Sequence, residues 1–297
     1  MLIDVGQQKL FFEVIGTKLR IAKGGVSEVP TVVFVHGGPA WDHLTLRMNF
    51  EQLQDVAQLI FYDHRGLGRS DVSTPAHWTL EQWAADLHGL IKTLGLEKPI
   101  VLGQSFGGMV AQKFAIDYPD DYSAIILSAT AARFNLPEIV ETFGTLGGPE
   151  LRETALSFFT ASGVEYRDRF LRECFPYYTV STATIGALSP FKPDVLDHFF
   201  SDAGDGRFFD YRHALAAITK PVLVLGGDKD PVISPQAVCE LAACFRPGIA
   251  ELEIFDNCGH GPTRDRPEVA LKLLRAFIQK VVPTRRVFPE PEATESE

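Results

Sequence analysis

The chain has 297 residues, 45% of them hydrophobic and 22% charged, with a formal net charge of −10 and a pI near 5.3. That is the composition of a globular protein long enough for one large α/β domain with an insertion. The acidic balance argues against nucleic acid as the main partner, because such affinity rests on Lys and Arg at phosphates. No apolar run reaches the roughly 20 residues of a membrane span, and MLIDVGQQKLFF lacks the basic and apolar stretches of a signal peptide. Cys174, Cys239, Cys244 and Cys258 show no paired C-x-x-C spacing, so reduced thiols, a cytoplasmic location and no metal are expected.

Strand signals come first in KLFFEVIG, LRIA, TVVFVHGG and QLIFYDHRG, then in PIVLGQS, YSAIILSAT, PVLVLGG and AELEIFD. The later ones are continuous apolar runs, as strands covered on both faces require. Amphipathic segments alternate with them. In TLEQWAADLHGLIKTLGL, Thr79 is placed to cap a helix and Gly95 to end it. In RPEVALKLLRAFIQKVV, Val269, Leu273, Phe277 and Val281 are read as the buried stripe. Such alternation predicts βαβ crossovers and a mostly parallel central sheet with helices on both faces.

The alternation breaks at 131–215, which reads as helical with no convincing strand. Residues 131–211 hold 11 of the 22 Phe and 4 of the 7 Tyr. This segment is expected to form a helical cap over the sheet, with 1–130 and 216–282 as the core. The Pro- and Glu-rich stretch 283–297 is expected to be a disordered tail.

Chemistry concentrates at strand ends. In Gly103-Gln104-Ser105-Phe106-Gly107 a strand feeds a helix through so tight a turn that the apex residue is strained and its flanking positions must be glycine. Ser105 then stands free at a helix N-terminus, as a nucleophile elbow requires. After the strand TVVFV, His36-Gly37-Gly38-Pro39 lets the backbone lie close to a reacting carbonyl, so the N–H groups of Gly38 and Phe106 are candidate oxyanion donors. His36 itself is read as bracing the loop. No Lys-Ser or Lys-Thr follows these glycines, which argues against a phosphate loop. After PVLVLGG stand Asp228 and Asp230, either of which could orient a histidine, with Asp230 preferred. After the last strand comes His260, flanked by glycines, as candidate base. Its neighbour Cys258 is read as no nucleophile.

The order Ser105, Asp230, His260, each just past a strand, resembles the α/β-hydrolase fold over nearly the whole chain. Within it, HGGPA, FYDHRGLGRSD, GQSFGG, GGDKDPVISP and CGHGP are similar to the branch containing prolyl aminopeptidases and related esterases. The resemblance implies a serine hydrolase with a catalytic Ser–Asp–His triad, a helical cap and no cofactor, and a supporting role for DHRGLGRS. Two departures stand out: Ala40 where that branch usually has glycine, and Phe106 where Trp or Tyr is common. The cap acids Glu138, Glu141, Glu150, Glu153, Glu165 and Glu173 match no amine-binding motif.

The expected substrate is a small, largely apolar carboxylic ester, with N-terminal proline peptides as the alternative. Lactones, C–C bonds beside a ketone, and a non-catalytic receptor on the same fold remain open. Trp41, Phe158, Phe159, Tyr177 and Tyr178 are the candidate substrate contacts.

Overall fold

The computed structural model describes residues 1–6, 8–22, 25–161, 163–181 and 189–289. Its strands are β1 (Leu2–Asp4), β2 (Lys9–Ile15), β3 (Leu19–Ala22), β4 (Gly25–Glu28), β5 (Thr31–Val35), β6 (Gln58–Tyr62), β7 (Ile100–Gln104), β8 (Ala124–Ser128), β9 (Val222–Gly227), β10 (Ala250–Phe255) and β11 (Arg285–Pro289). Eight of them form one sheet in the order β1-β2-β6-β5-β7-β8-β9-β10. From β6 to β10 every neighbouring pair is parallel, and β2 runs antiparallel to both of its neighbours, β1 and β6.

Burial explains the apolar runs. On β5, Val33 and Val35 point into the core on one face, with Trp83, Val101 and Phe114. Val32 and Phe34 point into the other, with Phe50 and Leu274. Strand side chains alternate between faces, so both faces must be apolar when both are covered. The helices are α1 (Leu44–Phe50), α2 (Leu80–Thr93), α3 (Phe106–Asp117), α4 (Leu136–Thr160), α5 (Val164–Glu173), α6 (Pro193–Phe199), α7 (Arg212–Leu215), α8 (Pro235–Ala243), α9 (Pro262–Asp265) and α10 (Pro267–Val281). Of these, α2, α3 and α8 cover one face and α1 and α10 the other. Thr79 caps α2 by accepting from the Gln82 N–H at 3.1 Å.

Two expectations need correction. On α10 the buried residues are Ala270, Leu271, Leu274, Phe277 and Ile278, while Val269 is exposed. A strict i+4 series drifts about 40° per step around a helix, so a straight buried stripe must mix i+3 and i+4 steps. The tail is not disordered at its start: β11 pairs antiparallel with β4, which pairs with β3 in a separate three-stranded sheet. Val287 and Phe288 favour a strand, and the open edge of β4 supplies the partner; residues 290–297 lie outside the described residues. Strands β1 and β4 were not legible as separate runs.

Between β8 and β9 the regular elements of the described residues are helices and a 3-10 turn. The one pairing there among the described residues is an isolated bridge, Arg133 to Asp210. α4 breaks at Gly148, where φ is 80°, and Pro149 restarts it. Phe143, Phe158, Phe159 and Phe170 pack into a third apolar cluster that also takes in Ala40 from the loop after β5.

Candidate active site

The parallel strands deliver their loops to one rim. The chain passes from β5 to β6 on one side and then returns to β7 on the other side of β5. A crevice opens at the carboxyl ends where such an order reverses. Ser105, between β7 and α3, has φ 54° and ψ −123°. A non-glycine residue held there costs about 1–3 kcal/mol, so its surroundings must enforce it. They do: the Ser105 N–H donates to the Ser128 carbonyl at 2.9 Å, and its own carbonyl accepts from the Gly108 N–H at 2.8 Å. A side chain at Gly103 would strike the Gly107 carbonyl, and one at Gly107 would strike the carbonyls of Val35 and His36. The two glycines flanking the apex are thus set by close approach of backbone.

Phe106 is the first residue of α3, where backbone N–H groups lack helical partners. Gly38 has φ 63°, and the Trp41 ring lies where its side chain would be. Among the described residues neither N–H is engaged in a hydrogen bond, and both residues line the same cavity as Ser105. His36 is fully buried, its Nδ1 3.1 Å from the Gly37 carbonyl and its Nε2 accepting from the His64 N–H at 3.2 Å. Burial pushes its pKa down. It braces the loop.

His260 Nδ1 lies 2.7 Å from Asp230 Oδ2. Asp230 is 1% exposed, and its Oδ1 accepts from the N–H groups of Val232 and Ile233 at 2.9 Å each. A buried carboxylate fixed this way holds the imidazole in one orientation. Asp228 does something else: it accepts from the Cys258 N–H at 3.0 Å and pairs with Lys229 at 3.3 Å, bracing the histidine loop. The Cys258 thiol is buried, which with nearby carboxylates pushes it up to about 12, so it stays protonated. Gln104, just before the serine, donates to the His260 carbonyl at 3.2 Å. No hydrogen bond joins the Ser105 hydroxyl to the His260 ring among the described residues, although both line one cavity. Such contacts are often long without substrate and tighten when it binds.

That cavity measures about 510 Å³. Trp41, Phe158, Phe159 and Tyr178, four of the five candidate substrate contacts, line it. Trp41 stacks on Phe175 with ring centroids 5.5 Å apart, and Tyr178 meets the His260 ring edge-on at 4.9 Å. Tyr177 does not line it; this ring is exposed. Phe175–Tyr178 is a 3-10 turn, in which i and i+3 share a face, so Phe175 and Tyr178 face the cavity and Tyr177 cannot.

The family model described as the alpha/beta hydrolase fold matches residues 30–263. The chain belongs to the α/β-hydrolase family. It is 28% identical to a proline iminopeptidase, PfmaB, from Pestalotiopsis fici, over 91% of this chain and 99% of that protein. A thermophilic esterase from Thermogutta terrifontis matches with a TM-score of 0.69 and 26% identity, covering 92% of this chain and 94% of that one. The proline iminopeptidase of Mycobacterium smegmatis shares the fold, with a TM-score of 0.72 at 20% identity over 94% of this chain and 97% of its own. The protein is a hydrolase of this fold.

Around its rim this α/β-hydrolase carries groups that sequence reading did not single out. Arg264 lines the cavity and pairs with Asp265 at 3.0 Å. Ser189, between β8 and β9, donates to Asp42 at 2.7 Å and accepts from the Asp42 N–H at 2.8 Å, tying that segment to the loop after β5. His43 Nδ1 lies 2.6 Å from Asp63 Oδ1, within the DHRGLGRS loop. Hydrogen bonding to His43 holds the Asp63 pKa low against the burial that would raise it. Asp42, His43 and Asp63 are fully buried and bring ligand-type atoms within 4.8 Å of one another. A cation there would compete with the existing His43–Asp63 hydrogen bond. No signal in the sequence linked these residues, because their contacts join segments far apart. Among the described residues, no helix is long and apolar enough to cross a membrane.

Proposed function

We propose that the protein hydrolyses a small, largely apolar carboxylic ester through an acyl-enzyme on Ser105. The observation carrying this reading is the wall of the cavity: no Asp or Glu is among the described residues that line it, and its ionisable side chains are His260, Tyr178 and Arg264. The free amine of an N-terminal residue needs an acceptor or a carboxylate to hold its charge, because burying an ammonium unpaired costs several kcal/mol. Of the six acids noted between β8 and β9, Glu138 lines only a small neighbouring cavity, where it bonds to Asn135 at 2.6 Å and to Ser234.

In the proposed reaction His260 Nε2 takes the Ser105 proton as the oxygen attacks the ester carbonyl. Asp230, hydrogen-bonded to Nδ1, stabilises the imidazolium. The N–H groups of Gly38 and Phe106 receive the oxyanion, and loss of one such donor raises a barrier by about 2.7–4 kcal/mol. His260 returns the proton to the departing alkoxide. Water then attacks the acyl group, His260 accepting its proton and handing it back to Ser105 as the acid leaves.

The second reading, release of N-terminal proline, is favoured by the names of the relatives from P. fici and Clostridium botulinum, the latter 26% identical over 84% of this chain. Turnover of short p-nitrophenyl esters against proline p-nitroanilide separates the two. The ester is expected to have the higher kcat/KM; a clear preference for the anilide would reverse the assignment.

A further inference from the structure

We propose that the stretch Tyr178–Val180 positions His260 directly, so that its seating and the readiness of the histidine are one equilibrium. The inference rests on His260 being the base of the proposed triad.

The His260 N–H donates to the Tyr178 carbonyl at 2.8 Å, and that tyrosine's ring packs edge-on against the imidazole. The next residue, Thr179, donates through Oγ1 to Asp265 Oδ1 at 2.6 Å and accepts from Arg264 Nε at 3.1 Å. Arg264 Nη2 donates to the Tyr178 carbonyl at 2.5 Å. Asp265 Oδ2 accepts the Gly259 N–H at 2.8 Å and the Val180 N–H at 3.3 Å. A side chain at Gly259 would lie 2.6 Å from the Tyr178 carbonyl, so the two backbones touch.

His260 is therefore gripped on three sides. Gln104 of the serine turn holds its carbonyl, Asp230 its ring, and Tyr178 its N–H. The first two belong to the sheet and its loops, whereas the third comes from the insertion. Arg264 and Asp265 are positioning residues: the Asp265 carboxylate is fully enclosed and the Arg264 side chain 12% exposed, so the pair is screened from water. Displacing Tyr178–Val180 leaves the His260 N–H without its partner and takes from Asp265, which holds the Gly259 N–H, its bonds to Thr179 and Val180. That loosens the one loop whose geometry proton transfer depends on, and a misplacement of about 1 Å can cost roughly 100-fold in rate.

The test compares wild type with Thr179→Val, which keeps the side chain's size, and Asp265→Asn. Two rates are read in each: kcat and KM on p-nitrophenyl acetate, and phosphorylation of Ser105 by diisopropyl fluorophosphate, which is small and barely uses the cavity wall. In folded variants kcat and the phosphorylation rate are expected to fall together, roughly 10- to 100-fold, with KM little changed. A raised KM with unchanged phosphorylation would mean that the segment only contacts substrate, and would overturn the proposal. The low-field proton resonance of His260 Nδ1–H gives a readout free of activity. It is expected in wild type and to be lost to exchange in both variants; an unchanged resonance in Thr179→Val would also overturn the proposal. Failure of wild type to react with diisopropyl fluorophosphate would count against the serine-hydrolase reading, while the resonance still decides the positioning.

Discussion

Among the described residues two buried carboxylate–imidazole pairs have nearly the same hydrogen bond, 2.7 Å for Asp230–His260 and 2.6 Å for Asp63–His43. Both carboxylates also accept from backbone N–H groups: Val232 and Ile233 at the first, His43 and Arg69 at the second. The far side of each ring is what differs. His260 faces a cavity shared with Ser105 and two unengaged N–H groups. His43 is fully buried, stacked on Phe11 at 5.6 Å, with the Glu13 carboxylate 3.5 Å from Nε2. The pair alone does not make a base. A reachable proton donor and room for substrate do.

The largest effect should come from removing the nucleophile. Ser105→Ala is expected to lower kcat by roughly 10⁶-fold while thermal unfolding stays within a few degrees of wild type; a normal rate would end the assignment. Next comes the comparison itself. Asp230→Asn should lower kcat about 10⁴-fold with modest loss of stability. Asp63→Asn should do the reverse, costing about 3–5 kcal/mol in urea unfolding and leaving the rate per folded molecule within a few-fold. Similar rate losses in both would erase the distinction drawn here.

Acid should reach the region around the second pair before it reaches the pair. Burial lowers the pKa of His36 and, more strongly, of His64, so both stay neutral in the fold and gain protons on unfolding below about pH 6.5. Their contribution is complete above that value and is lost as the pH falls toward the folded values. The Asp63 pKa is also lowered, so its contribution persists until the pH drops below about 3.9. The urea midpoint is therefore expected to fall between pH 7 and pH 5; a flat midpoint over that interval would contradict the neutral histidines. The smallest change belongs to Asp228→Asn. Its amide oxygen can still accept from Cys258, so kcat should shift by no more than about threefold. A loss approaching that of Asp230→Asn would return Asp228 to the triad position.

Much of this site was legible because it is written locally. A strand run, a glycine and a candidate functional group, a side chain at three places and the Gly38 N–H at the other, occur within a few residues at Gly103–Ser105, Val35–Gly38, Gly227–Asp230 and Phe255–His260. The choice between Asp228 and Asp230 was not fully legible, since both follow the same strand and only the turn decides which carboxylate faces the imidazole. Tyr177 and Tyr178 are indistinguishable by composition and are separated by the phase of a single 3-10 turn. The Tyr178 carbonyl on His260 leaves no mark at all, because any residue type offers one. The start of the tail was masked by its Pro and Glu content, although Arg285–Pro289 needed only the edge of β4 to form a strand.

The most direct measurement is peptide mass spectrometry of wild type, Asp230→Asn and Asp63→Asn after timed exposure to diisopropyl fluorophosphate. The adduct is expected on Ser105, forming at the wild-type rate in folded Asp63→Asn and orders of magnitude more slowly in Asp230→Asn. An adduct on another residue, or equal slowing in the two variants, would contradict the claim that His260, held by Asp230, activates Ser105.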